Sequence, residues 1–223
     1  VTLDNVVGTD VVDGVVTIDT TGNTSSSGNL QAGSYTDLQV VTSLTGADAG
    51  NYSIAVTPAD YTVDKLALTG SIATSSSTYG DALVEGAVTL DNLVSGDLVG
   101  TPVTIDTTGN ESTSGNLNAG AYTDLQVVNT LTGTDAANYT NSISSSDYTV
   151  NQRALAGAAI VGSSSTYGSS LTPGAASFTN VVSGDDLSTT VSVDTSTTST
   201  SGNPIVGSYT QSVAATLGGD DAA

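Results

Sequence analysis

The chain has 223 residues and a formal charge of −20, set by 22 acidic residues against two cations, Lys65 and Arg153, and it contains no Cys, His, Met or Trp. Two cations are too few to displace phosphate counterions or to hold an anionic lipid surface, which excludes nucleic-acid and membrane-surface binding. The missing residue types exclude disulfides, His/Cys sites for zinc, haem or iron–sulfur clusters, and any nucleophile activated by a His base.

Along the chain, "VTLDN" at 1–5 is followed by "VTIDTTGN" at 16–23, "AGSYTDLQVV" at 32–41, "LTGADAGNY" at 44–52 and "DYTV" at 60–63. The series then begins again. "VTLDN" returns at 88–92, "VTIDTTGN" at 103–110, "AGAYTDLQVV" at 119–128, "LTGTDAANY" at 131–139 and "DYTV" at 147–150. Residues 1–70 lie over 88–157 without a gap, with 44 of 70 positions identical. A third, more diverged copy follows. "SSSTYGDAL" at 75–83 returns as "SSSTYGSSL" at 163–171, "NLVSGDL" at 92–98 as "NVVSGDDL" at 180–187, and "VTIDTTGN" as "VSVDTSTT" at 191–198. The period of 87–88 residues is too long for a solenoid and has the length of an independent domain. Three domains are expected: a partial one over 1–65, a complete one over 66–153 and a partial one over 154–223. On this reading the chain is a window on a longer tandem array.

The middle copy carries the clearest elements. In chain order, "ALTGSIAT", "AVTLDNLV", "PVTIDT", "AYTDLQVVNTL", "NYTNSI" and "DYTVN" are β-branched or aromatic runs separated by Gly, Asn, Asp and Ser clusters. That is the pattern of short strands joined by turns. In "VTID", Val103 and Ile105 share one face while Thr104 and Asp106 share the other. No helical stripe is sustained, although "TDAAN" suits a single helical turn. About seven strands per copy predict an all-β fold of tandem immunoglobulin-like antiparallel β-sandwiches. A β-grasp-like repeat is the alternative and would need a helix that the pattern does not offer. All nine Tyr recur at repeat-locked positions and are expected as core filler with hydroxyls at the rim. "DAGNY" at 48–52 looks like the tyrosine-corner stretch of immunoglobulin domains.

The motifs "STYGD" at 77–81, "AGAYT" at 119–123, "TGTDAANYT" at 132–140 and the closing "DYTV" resemble the YDG/MBG-type repeats of large exported bacterial adhesins. The resemblance covers the whole chain as two and a half copies. It implies a stalk role in filamentous, haemagglutinin-like surface proteins, many of them secreted through a partner pore in the outer membrane. It supplies no ligand. Where that family carries Pro and Lys at the repeat junction, this chain has "YTVDK" and "YTVNQR".

Candidate chemistry is sparse. The adjacent pairs Asp185–Asp186 and Asp220–Asp221 lie in turn sequences, and no catalytic residue or organic cofactor is expected. Asp10, Asp97, Asp185 and Asp186 occupy related turn positions and are the candidates for weak Ca²⁺ binding by hard oxygen ligands. Asn23, Asn51, Asn110 and Asn138 stand in Asn-x-Ser/Thr sequons and are the candidate glycosylation sites. Lys65 and Arg153 fall at the expected junctions, where each could pair with an Asp of a neighbouring domain.

The expected role is therefore a structural one, outside or on the surface of the cell: a stalk whose partners are neighbouring repeats of the same chain. High negative charge would keep such stalks apart and soluble. A self-assembling filament subunit, partnered by identical chains, is the first alternative. A carbohydrate-binding module stacking sugar on Tyr rings is the second.

Overall fold

A computed structural model of the protein describes residues 1–222. Their strands are β1 (Asp13–Ile18), β2 (Gly33–Thr45), β3 (Ala59–Val63), β4 (Leu66–Ile72), β5 (Ser75–Thr78), β6 (Val88–Leu90), β7 (Val103–Ile105), β8 (Gly120–Val128), β9 (Tyr139–Ser144), β10 (Ser146–Asn151), β11 (Ala159–Ile160), β12 (Ala176–Ser177), β13 (Ser188–Val193) and β14 (Gln211–Gly218). The only helical turns among the described residues are 3-10 turns at Ala49–Asn51 and Ala136–Asn138, where the Asp-Ala stretches recur. The protein is all-β, and seven strands, β4 to β10, fall within the middle repeat.

The chain divides into two compact units that cut across the sequence repeats. The first takes Val1–Ala73, Gly86–Thr104 and Gln126–Ser146; the second takes Thr74–Glu85, Ile105–Leu125 and Asp147 onward. The first unit holds an antiparallel sheet in the order β1-β2-β3 and a mixed sheet in the order β6-β4-β9. In the mixed sheet β4 pairs antiparallel with β6 and parallel with β9, Leu66 standing opposite Tyr139. Its buried apolar residues are Leu68, Ile72, Val128 and Tyr139.

The second unit is centred on Tyr148, which is fully buried. It packs with Leu117 and Val150, and Tyr79, Ile105, Ala119, Tyr122 and Leu125 close around them. The reason is visible in β10: Ser146, Tyr148 and Val150 are buried, while Asp147, Thr149 and Asn151 alternate outward. This strand belongs to the sheet ordered β5-β10-β8-β7. Two-stranded pairs β11-β12 and β13-β14 complete the unit.

Two pairings correct the antiparallel expectation: β4 with β9, and β5 with β10, are parallel. In each case a strand from the start of the repeat meets one from its end. The rest of the repeat forms the long crossover that a parallel pair requires. Local sequence carries no mark of such a pairing.

A buried Gln ties the start of the repeat to its middle. Gln126 accepts a hydrogen bond from the N–H of Gly86 at 2.7 Å and donates to the carbonyl of Ala73 at 3.3 Å. A Cβ on Gly86 would sit 1.8 Å from that carbonyl, so only glycine allows the close approach. Arg153 pairs with Asp81 and donates from Nε to the Tyr79 carbonyl at 2.7 Å. Both partners lie in the span of the middle repeat, not in a neighbouring one as the junction position suggested.

Candidate functional site: an acidic joint between successive repeats

Each repeat carries a small loop with the sequence Ser-x-Ser-Gly-Asn, at 25–29, 112–116 and 199–203. The three loops share one set of bonds. The first Ser N–H donates to the Asn carbonyl at 2.8 Å, and the Gly N–H donates back to the first Ser carbonyl at 2.9 Å. The Gly adopts φ of +85°, +78° and +80° in the three copies, a region that favours a residue without Cβ. The Asn side chain donates to the second Ser hydroxyl in each copy. The loop's internal bonds leave the N–H groups of its middle residues facing outward.

Carboxylates of the next repeat meet those N–H groups. Within the first unit, Asp135 accepts from Ser26 N–H at 3.0 Å through Oδ1 and from Leu98 N–H at 2.7 Å through Oδ2. Asp97 accepts from Ser27 N–H at 3.2 Å through Oδ1 and from the Tyr139 hydroxyl at 2.6 Å through Oδ2. Asn138 adds a third peg, its Oδ1 accepting from Ala32 N–H at 2.8 Å. Asp135 is 1 % exposed and Asp97 9 %. The bonds from the Ser26, Leu98 and Ser27 N–H groups to these two carboxylates are charge-assisted, the stronger class of hydrogen bond.

The second unit repeats the Asp135 contacts 86–88 residues on. Asp221 accepts from Thr113 N–H at 3.0 Å through Oδ1 and from Asp186 N–H at 2.6 Å through Oδ2. The Thr113 hydroxyl lies against both the Asp221 carboxylate and the Gly184 carbonyl. Asp185 accepts from the Tyr79 hydroxyl at 2.7 Å, and that hydroxyl also lies 3.4 Å from Ser114 Oγ. Glycine is needed beside the acids as well. Gly133 has φ of +102°, and a Cβ there would sit 2.5 Å from the Leu98 carbonyl.

The electrostatics follow from these bonds. The Tyr139 hydroxyl and the Ser27 loop hold the Asp97 carboxyl below the usual carboxylate range. The N–H groups of Leu98 and Ser26 do the same for Asp135, and Thr113 for Asp221. Burial, then the neighbouring Asp97, push the Tyr139 phenol up. The acids of the joint therefore favour the ionised form, their charge met by N–H and O–H donors.

The sequence-predicted sites fall as follows. Asp10, Asp97 and Asp185 each accept from a Tyr hydroxyl, Tyr52 at 2.7 Å in the first case. Asp186 is exposed and engages Asp221 through its backbone. Among the described residues no three acidic side chains gather to hold a metal ion. Asn23, Asn51 and Asn110 are exposed; Asn138 is half-buried and part of the joint. Tyr52 and Tyr139 do tie loops down, accepting from Val7 and Val94 N–H, residues far upstream of the tyrosine. Sequence reading missed the Ser-x-Ser-Gly-Asn loop. Its signal is that it survives in the third copy, where the neighbouring "VTIDTTGN" has decayed.

No family model, curated protein or solved structure matches the chain.

Proposed function

We propose that this chain is a stalk segment of a large extracellular bacterial surface protein, its repeats folded as immunoglobulin-like sandwiches and clamped in series. The observation that carries this is the recurrence of the joint: Asp135 on the Ser26 N–H, and Asp221 on the Thr113 N–H. A segment that must transmit tension from one repeat to the next needs such a contact at every junction and no ligand site at all. The adhesin context, surface location and secretion through an outer-membrane partner come from the resemblance of the repeat motifs.

Tyr burial favours the stalk over a sugar-stacking surface. Tyr139 and Tyr148 are buried, six others are half-buried, and Tyr167 alone is exposed. Pulling the chain from its two ends by atomic force microscopy tests the proposal. A stalk resists and then gives way in steps, the middle repeat releasing about 300 Å of contour length at about 3.5 Å per residue. Extension without resistance, or in steps unrelated to the repeat, would contradict it.

A further inference from the structure

Strands β5 and β10 come from the beginning and the end of the middle repeat, yet they run side by side in the same direction. Ser75 stands opposite Tyr148, Ser76 opposite Thr149, Ser77 opposite Val150 and Thr78 opposite Asn151. The contact continues past the strands. The Tyr79 N–H donates to the Asn151 carbonyl at 2.9 Å, and the Asn151 side chain donates to the Ser77 carbonyl at 3.2 Å. Arg153 then reaches back: its Nε donates to the Tyr79 carbonyl at 2.7 Å and its Nη2 pairs with Asp81. This is the only arginine of the chain. All of these residues belong to the second unit.

The direction of the pair decides how it meets a load. The chain enters β5 at Ser75 and leaves β10 at Asn151. In a parallel pair those two points lie at opposite ends of the ladder. Tension carried along the chain therefore draws the strands lengthwise past each other, and the inter-strand bonds must yield together. In an antiparallel pair the two points would share one end, and the bonds would open one at a time. A single bond contributes only about 1 kcal/mol net, so a ladder that shares its load resists far more than one that is peeled. Arg153 adds a charge-assisted contact at the end where the chain leaves.

We infer that β5 and β10, with Arg153 as their latch, form a shear clamp that sets the force at which the end of the middle repeat gives way. The inference rests on the stalk reading for its purpose and names the element that bears the load. Forced unfolding is governed by the unfolding rate rather than by equilibrium stability. The clamp makes that rate depend on the direction of pulling, on which equilibrium stability does not depend.

The chain has no Cys, so two introduced thiols make unique handles. Thr74, Ala82 and Ala154 are exposed. Pulling the whole chain through Thr74→Cys and Ala154→Cys loads the pair in shear, whereas Ala82→Cys with Ala154→Cys loads it from one end. By single-molecule force spectroscopy the peak force should be about twofold higher or more in shear, with matching urea midpoints for the two double variants. Arg153→Gln, added to each, should lower the shear peak by about a third, the loss of a charge-assisted contact from a short ladder. If that variant also moves the urea midpoint, the comparison of the two directions decides. Equal peak forces in the two directions would overturn the clamp and leave the stalk reading standing. A shear peak unmoved by Arg153→Gln would overturn the latch. Extension from the two chain ends without resistance would remove the stalk reading, whichever direction is stronger.

Discussion

Oδ1 of Asp135 accepts the backbone N–H of Ser26 at 3.0 Å, across 109 residues of sequence. Thr113 and Asp221 stand in the same relation at the same distance. A carboxylate that reads main-chain N–H groups is insensitive to side-chain drift in the loop it docks on. That explains how Ser26 in one copy can be Thr113 in the next with the joint intact. It also gives purpose to part of the acidic surplus: some of these Asp are pegs.

Replacing Asp135 by Asn should loosen the first joint. Asn keeps one acceptor oxygen where the carboxylate uses two, and it turns an amide N–H₂ toward a backbone donor. A fall in Tm of roughly 5 °C is expected by differential scanning calorimetry. Asp64→Asn, at an exposed position, should leave Tm within about 1 °C. Equal effects from both would mean that general charge, not the joint, sets stability.

The joint also fixes a pH dependence. Asp97, Asp135 and Asp221 have folded-state pKa values below the ordinary carboxylate value, near 3.9 in an unfolded chain. Their contribution is therefore complete above about pH 4 and is lost as pH falls through the lowered folded values. The Tm gap between wild type and Asp135→Asn should be constant from pH 7 to about pH 5 and narrow below about pH 4. A gap that widens on acidification would contradict the assignment. Using the gap removes the separate effect of relieving self-repulsion on a chain of charge −20.

Tyr148 anchors the second unit. Tyr148→Ala should cost about 3–5 kcal/mol in urea unfolding, the usual loss for a large buried aromatic. Tyr148→Phe keeps the ring and removes only the acceptor for Val84 N–H, a cost of about 1 kcal/mol. If the two variants were equally unstable, the hydroxyl rather than the packing would be the larger contribution.

Two glycines separate strain from collision. Gly109 has φ of +79° with open space where a Cβ would stand, whereas Gly133 has φ of +102° and the Leu98 carbonyl at 2.5 Å. Gly109→Ala should cost about 1 kcal/mol from backbone strain alone. Gly133→Ala should cost clearly more, because the carbonyl it meets is backbone beside the Asp135 peg. Equal costs by chemical denaturation would show that the close approach relaxes freely.

Much of this architecture can be read from local sequence. Alternation in "DYTV" places Tyr148 and Val150 inward, as β10 shows, and "TDAAN" makes its single turn at Ala136–Asn138. The strand-rich pattern gives the all-β class directly. Other features depend on partners distant in sequence. Ser-Ser-Ser-Thr is a strand at 75–78 and irregular at 163–166, so no local rule could assign both. The parallel β4–β9 and β5–β10 pairs are invisible for the same reason. Asp97 and Asp185 stand out as recurring turn acids, and their spacing alone suggests hard-oxygen ligands. Their partners, Tyr139 with Ser27 and Tyr79, come from segments that only folding brings near.

The most direct test of the joint is a double-mutant cycle between Ser26→Pro, which deletes the donor N–H, and Asp135→Asn, which weakens the acceptor. Stability to urea is measured for wild type, both single variants and the pair. Strain introduced by Pro appears on both sides of the cycle and cancels. If the carboxylate holds the next repeat through that N–H, the double variant loses markedly less than the sum of the single losses. Additive losses would contradict the joint.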